Sequence, residues 1–125
     1  MTGKRAGRRE DQRFITGRGR YTSDWNLPEQ LYAAFRRSDR AHAAIRKLDT
    51  SAAARSAGVV AVFTGDDIAA AGLREIAPMM PFPGRGGTKI LVPERPLLAR
   101  GRVRFVGEAI AMVIANTAAA AVDAA

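Results

Sequence analysis

Ala109-Ile110-Ala111-Met112-Val113-Ile114-Ala115-Asn116-Thr117 is the stretch on which the fold turns. Seven apolar residues run without a charge, which suits a central strand buried on both faces. Asn116-Thr117 then caps a helix that begins at Ala118 and is rich in alanine to the end. That helix has no C-terminal glycine and no apolar stripe beyond Val122, so it reads as an element cut short, with little to pack. The expectation is a piece of a larger chain.

Working outward, Val59-Val60-Ala61-Val62-Phe63 is a second apolar run of strand length, set off by Gly58 and Gly65, and it also reads as a buried strand. Leu31 to Arg37 alternates, with Leu31, Ala33 and Phe35 on one face and Tyr32, Ala34 and Arg36 on the other. Ala41 to Leu48 is read as a further strand, although its alanines and arginines also allow a helix. Arg102 to Phe105 reads as a strand, and Leu97–Ala99 as a short pairing segment. Between these lie short helices over 8–16, 52–56 and 64–68, stopped by Gly17, Gly58 and Gly72 and, for 52–56, capped by Asp49-Thr50-Ser51. Residues 73–96 hold five of the six prolines and form a long loop, a length usually reserved for function or for ordering by a partner. Tyr32, Phe35, Phe63 and Phe105 are assigned to the core.

Composition narrows the chemistry. The chain has 125 residues, room for one domain. It has no cysteine and one histidine, His42, which excludes a disulfide framework, thiolate metal sites, a catalytic cysteine and a His-rich metal cluster. No stretch is long and apolar enough for a transmembrane helix. The arm Lys4-Arg5-Ala6-Gly7-Arg8-Arg9 lacks the apolar region of an export signal, and a cytoplasmic location is the expectation.

The net charge of +8 has the look of a nucleic-acid footprint. Its distribution argues otherwise. Residues 1–20 carry seven basic and two acidic groups, so most of the excess belongs to a basic N-terminal arm. The remainder reflects a composition of 17 Arg, 3 Lys and 25 Ala. The arm reads as a solvated tail, with an interface to a neighbouring domain or subunit as the alternative.

Other motifs are weighed and set aside. Gly17-Arg18-Gly19 and Gly84-Arg85-Gly86-Gly87 match neither a dinucleotide fingerprint nor a Walker loop, and read as ordinary loops. His42 reads as structural. Asp66-Asp67 reads as a helix cap rather than a cation site. Glu108 has no second carboxylate at useful spacing.

Five segments in order carry a resemblance. They are Arg8-Arg9-Glu10-Asp11-Gln12-Arg13-Phe14-Ile15-Thr16-Gly17-Arg18-Gly19-Arg20-Tyr21; Leu31 to Ser38; Ala41-His42-Ala43; Gly58 to Gly65; and Val103-Arg104-Phe105-Val106-Gly107-Glu108-Ala109-Ile110-Ala111. Together they resemble the start of the large, molybdenum-binding subunit of xanthine dehydrogenase/aldehyde oxidase-type hydroxylases, the family that includes aerobic carbon-monoxide dehydrogenase. The chain departs from the family's usual pattern at Ser23, at Asp39-Arg40, where Pro-His is common, and at Ala109, where proline is common.

The resemblance implies an α/β-hammerhead fold of the α+β type: a mixed sheet, short helices and the long Pro/Gly-rich loop. The expected organisation is a basic arm with a short helix over 1–20 and a hammerhead domain over 21–125, truncated in its last helix. In such enzymes the molybdopterin and the catalytic glutamate lie in later domains, and iron–sulfur and flavin groups in other domains or subunits. No catalytic, cofactor-binding or metal residue is therefore assigned here, and the segment alone is expected to be inactive. Its expected partners are the downstream molybdopterin-binding domains and the iron–sulfur and flavin units, with no membrane and no nucleic acid. The rivals are a stand-alone basic module contacting nucleic acid through residues 1–20, and a separate subunit of a split enzyme. The isolated chain is expected to be marginally stable or to aggregate.

Overall fold

A computed structural model describes residues 7–76, 82–89, 92–93 and 95–125. The parts of the expected long loop at 77–81, 90–91 and 94 lie outside the described residues, as do residues 1–6. The chain separates into two units, Met1–Gln30 and Leu31–Ala125.

Among its described residues the first unit contains one α-helix, α1 (Asp11–Ile15), and a 3-10 turn at Thr22–Asp24. The α1 helix ends as the sequence predicts. Gly17 takes a positive φ of 68°, its N–H donates to Phe14 O, and Arg18 N–H donates to Arg13 O. This paired closure satisfies the last carbonyls of the helix, and only glycine adopts it without strain. Asp24 accepts the Tyr21 N–H at 2.8 Å and fixes the following turn.

In the second unit, β1 (Tyr32–Arg37), β3 (Val59–Thr64) and β5 (Ala109–Ala115) form a sheet in the order β1-β5-β3. The short strands β2 (Ala43–Ala44) and β4 (Arg102–Val103) pair separately. Among the described residues three α-helices, α2 (Ser51–Ala54), α3 (Gly65–Ala70) and α4 (Ala118–Ala124), and a 3-10 turn at Arg85–Gly87 complete the unit. The central position of β5 is the one its sequence requires, since a strand without a charge is best placed between two others. The expected mixed sheet is corrected: among the described residues every strand pair is antiparallel. β1 and β3 do run the same way, but β5 lies between them.

The register explains the core. Val113 sits between Ala34 and Val62, Ala111 between Arg36 and Thr64, and Ala115 between Tyr32 and Val59. Ala111, Val113 and Ala115 are buried. α4 packs on β1 and β5, and α2 on β3. Alanine dominates both sides, which lets helix and sheet approach closely. The alanine run of α4, expected to pack little, instead buries Ala121. Thr117 caps it by accepting the Ala120 N–H at 3.1 Å.

Several expectations are corrected. Phe35, Phe63 and Phe105 are exposed and Tyr32 is half-buried, so the aromatics are not the core. β3 is an edge strand with Val60 and Phe63 exposed, not a strand buried on both faces. The strand expected over 41–48 shrinks to Ala43–Ala44, extended by one bond from Ile45 N–H to Gly101 O. Its partner β4 ends at Val103 because the Glu108 carboxylate takes the Arg104 N–H and turns the chain. Leu97–Ala99 forms no strand, although Ala99 N–H donates to Ala109 O at 2.7 Å.

Candidate functional site

Among the described residues Glu108 is the buried acid, with 5% of its surface exposed. One carboxylate oxygen accepts the Arg104 N–H, and the other accepts Arg104 Nη1 at 3.0 Å. A buried carboxylate is tolerable only when paired and hydrogen-bonded in this way. Its backbone is fastened too. Ser38 N–H donates to Glu108 O at 2.9 Å, Gly107 N–H donates to Ser38 O at 2.8 Å, and Arg37 Nη1 donates to Gly107 O at 2.9 Å. Glu108 therefore locks the end of β1 to the start of β5. Both of its oxygens are occupied by Arg104, an arrangement suited to holding a turn rather than moving a proton.

The other sequence candidates stay apart. His42 is exposed just before β2. Asp67 caps α3, its Oδ2 accepting both the Thr64 N–H at 2.7 Å and the Thr64 hydroxyl at 2.6 Å. The Thr64 hydroxyl and N–H hold the Asp67 carboxyl below the ordinary aspartate range. Asp66 pairs with Arg100 Nε at 2.6 Å. Gly84–Thr88 is a tight turn, closed by Gly84 N–H to Thr88 O at 2.6 Å. Among the described residues no three His, Asp or Glu side chains converge as metal ligands. The Gly84–Thr88 turn is closed on itself, and Asp66, Asp67 and Glu108 are engaged locally.

What the structure does bring together is an apolar surface. Cross-strand partners share a face, and Phe35, Met112 and Phe63 stand in one row across β1, β5 and β3. Ala33, Ile114 and Ala61 form the next row. This is the face opposite the buried Ala111, Val113 and Ala115. Phe35 is 45% and Phe63 38% exposed, so the sheet has one face under helices and one open apolar face. Sequence reading missed it because both phenylalanines look like core. The signal available was the placement of Phe35 and Met112 on the alternate set of positions in their strands.

The domain thus spends these polar groups on turns and leaves one sheet face apolar. The particular family follows from comparison with known proteins. Residues 16–125 match the model for the aldehyde oxidase and xanthine dehydrogenase a/b hammerhead domain, and the chain belongs to that family. It is 44% identical over 126 residues to the nicotine 6-hydroxylase large subunit of Paenarthrobacter nicotinovorans, covering 99% of this chain and 14% of that protein. It is 38% identical over 97 residues to the carbon monoxide dehydrogenase large chain of Afipia carboxidovorans, covering 78% of this chain and 12% of that one. Among solved structures, quinoline 2-oxidoreductase from Pseudomonas putida 86 superposes with a TM-score of 0.78 at 41% identity, over 95% of this chain and 14% of that chain. The chain thus spans about one seventh of the length of these relatives. No helix among the described residues is long and apolar enough to cross a membrane.

Proposed function

We propose that this chain is the hammerhead domain of a molybdenum hydroxylase large subunit of the xanthine dehydrogenase, aldehyde oxidase and carbon-monoxide dehydrogenase type. Its role is structural. It supplies a packing face to the molybdopterin-binding remainder of the subunit and no catalytic group of its own. The molybdopterin and the catalytic residues belong to that remainder, and iron–sulfur and flavin units complete the enzyme. The observation that carries this reading is the open row Phe35, Met112 and Phe63 opposite a helix-covered face. An apolar sheet face of this kind favours association with a covering surface.

A chimera tests the reading. Residues 1–125 replace the corresponding segment of the nicotine 6-hydroxylase large subunit, to which they are 44% identical. The expected product assembles and retains molybdenum, measured by mass spectrometry. Phe35→Arg with Phe63→Arg should abolish molybdenum retention and assembly, because two charges would be buried unpaired. Full assembly of the doubly charged chimera would overturn the packing role. Stoichiometric molybdenum on the isolated 125-residue chain would overturn the absence of a cofactor site from this domain.

A further inference from the structure

The first unit carries a surface that the hammerhead reading does not use. Ile15 is 83%, Leu27 71% and Trp25 58% exposed. Around them stand arginines laid on aromatic rings. The Arg13 guanidinium lies 5.2 Å from the Phe14 ring centre, and the Arg20 guanidinium 4.9 Å from that of Trp25. Phe14 in turn stacks on Tyr21 at 5.6 Å with 17° between planes. Gly19 fits under this pair, since a Cβ there would come within 2.7 Å of Phe14 Cδ1. Ring contacts therefore tie Arg13, Phe14 and Tyr21 together, and Arg20 to Trp25.

None of the five described arginines of this unit, Arg8, Arg9, Arg13, Arg18 and Arg20, has an acidic partner in an ion pair. Two of the carboxylates are spent on backbone groups: Asp11 accepts the Arg8 N–H and Asp24 the Tyr21 N–H. A guanidinium resting on a ring is planar, pre-oriented and weakly hydrated, and its fork matches a carboxylate. Exposed Trp, Tyr and Arg are also the side chains that dominate protein–protein binding energy.

We propose that residues 13–27 form a docking surface for an acidic protein segment, with Ile15, Trp25 and Leu27 as apolar anchors and Arg13 and Arg20 as carboxylate receptors. A polypeptide fits this surface better than a nucleic acid. Residues 7–30 carry five arginines but four carboxylates, a net of +1, too low a charge density for the counterion release that drives binding to a phosphate backbone, whereas two ring-borne guanidinium forks suffice to receive individual carboxylates. The rings are already engaged with Arg13, Tyr21 and Arg20, so base stacking would compete with partners in place. The proposal is independent of what covers the sheet face of the second unit.

Trp25 is the sole tryptophan of the chain, so its emission reports on this surface alone. The 125-residue chain is titrated with three probes: a glutamate-rich peptide containing one Leu-Phe pair, the same peptide with glutamine for glutamate, and a thymidine decanucleotide. The expected result is a saturable change of Trp25 emission with the glutamate peptide, at least fivefold weaker binding of the glutamine peptide, and no response to the oligonucleotide. Arg13→Ala with Arg20→Ala should weaken the glutamate peptide about tenfold, and Arg20→Lys by less. A response to the oligonucleotide but not to the peptide, equal binding of both peptides, or no response at all would each overturn the proposal. The peptide comparison needs no variant, so misfolding of an arginine variant leaves the test intact.

Discussion

Replacing Val113 with alanine probes the core most directly. Val113 is 2% exposed at the centre of β5, between Ala34 and Val62 in register. The substitution removes two buried carbons, a transfer loss of about 1.6 kcal/mol at about 0.8 kcal/mol each. The surrounding core side chains, Ala111, Ala115 and Ala121, are too short to reach into the space. If about 40 Å³ stays open, the cavity adds about 1 kcal/mol at about 24 cal/mol per Å³. The sum of about 2.5 kcal/mol is a large share of the roughly 5–15 kcal/mol that holds a typical domain together. Urea unfolding of the 125-residue chain, followed by far-UV circular dichroism, should move its midpoint down by about 1.5 M. Val60→Ala on the exposed edge strand is the matched control, expected to cost less than about 0.5 kcal/mol. Equal losses from the two substitutions would refute the placement of the core on the helix side of the sheet.

Two further perturbations address the elements around the sheet. Gly65→Ala would bring a Cβ within 2.7 Å of Ala99 O and 3.0 Å of Leu98 O, both backbone atoms. It should destabilise the domain by about 1–3 kcal/mol, and a neutral effect in the same urea assay would contradict this packing. Asp67 has a folded pKa depressed by the Thr64 hydroxyl and N–H, so its contribution to stability is present above the unfolded value and lost as pH falls through the folded one. The window therefore lies below about pH 4. Carboxyl-carbon NMR should find the Asp67 midpoint below that of an unstructured aspartate, and Thr64→Val should raise it. An unchanged midpoint in the variant would dismiss the hydroxyl as a cause.

Much of the second unit is legible locally. A charge-free strand followed by Asn-Thr and alanines specifies β5 and α4, because caps and apolar runs act over a few residues. The helix ends at Gly17 and Gly72 are legible for the same reason: both residues adopt positive φ, a conformation that glycine reaches at little cost. Strand lengths are less legible. β2 and β4 are short because the Glu108 carboxylate intercepts the Arg104 N–H, an event that depends on a turn and not on propensity. The candidate surface at residues 13–27 was visible only as a basic arm, since arginines on rings depend on how the chain folds back.

By itself the sequence determined the order of the elements, the central place of the Ala109–Ala115 strand and the resemblance to the hammerhead family. It also excluded cysteine chemistry. Only the tertiary structure decided which face of each strand is covered. Period-two alternation sorts side chains into two sets but does not say which set meets the helices. α4 packs on β1 and β5, Ala111, Val113, Ala115 and Ala121 are buried, and Phe35, Met112 and Phe63 stand on the opposite face of the sheet.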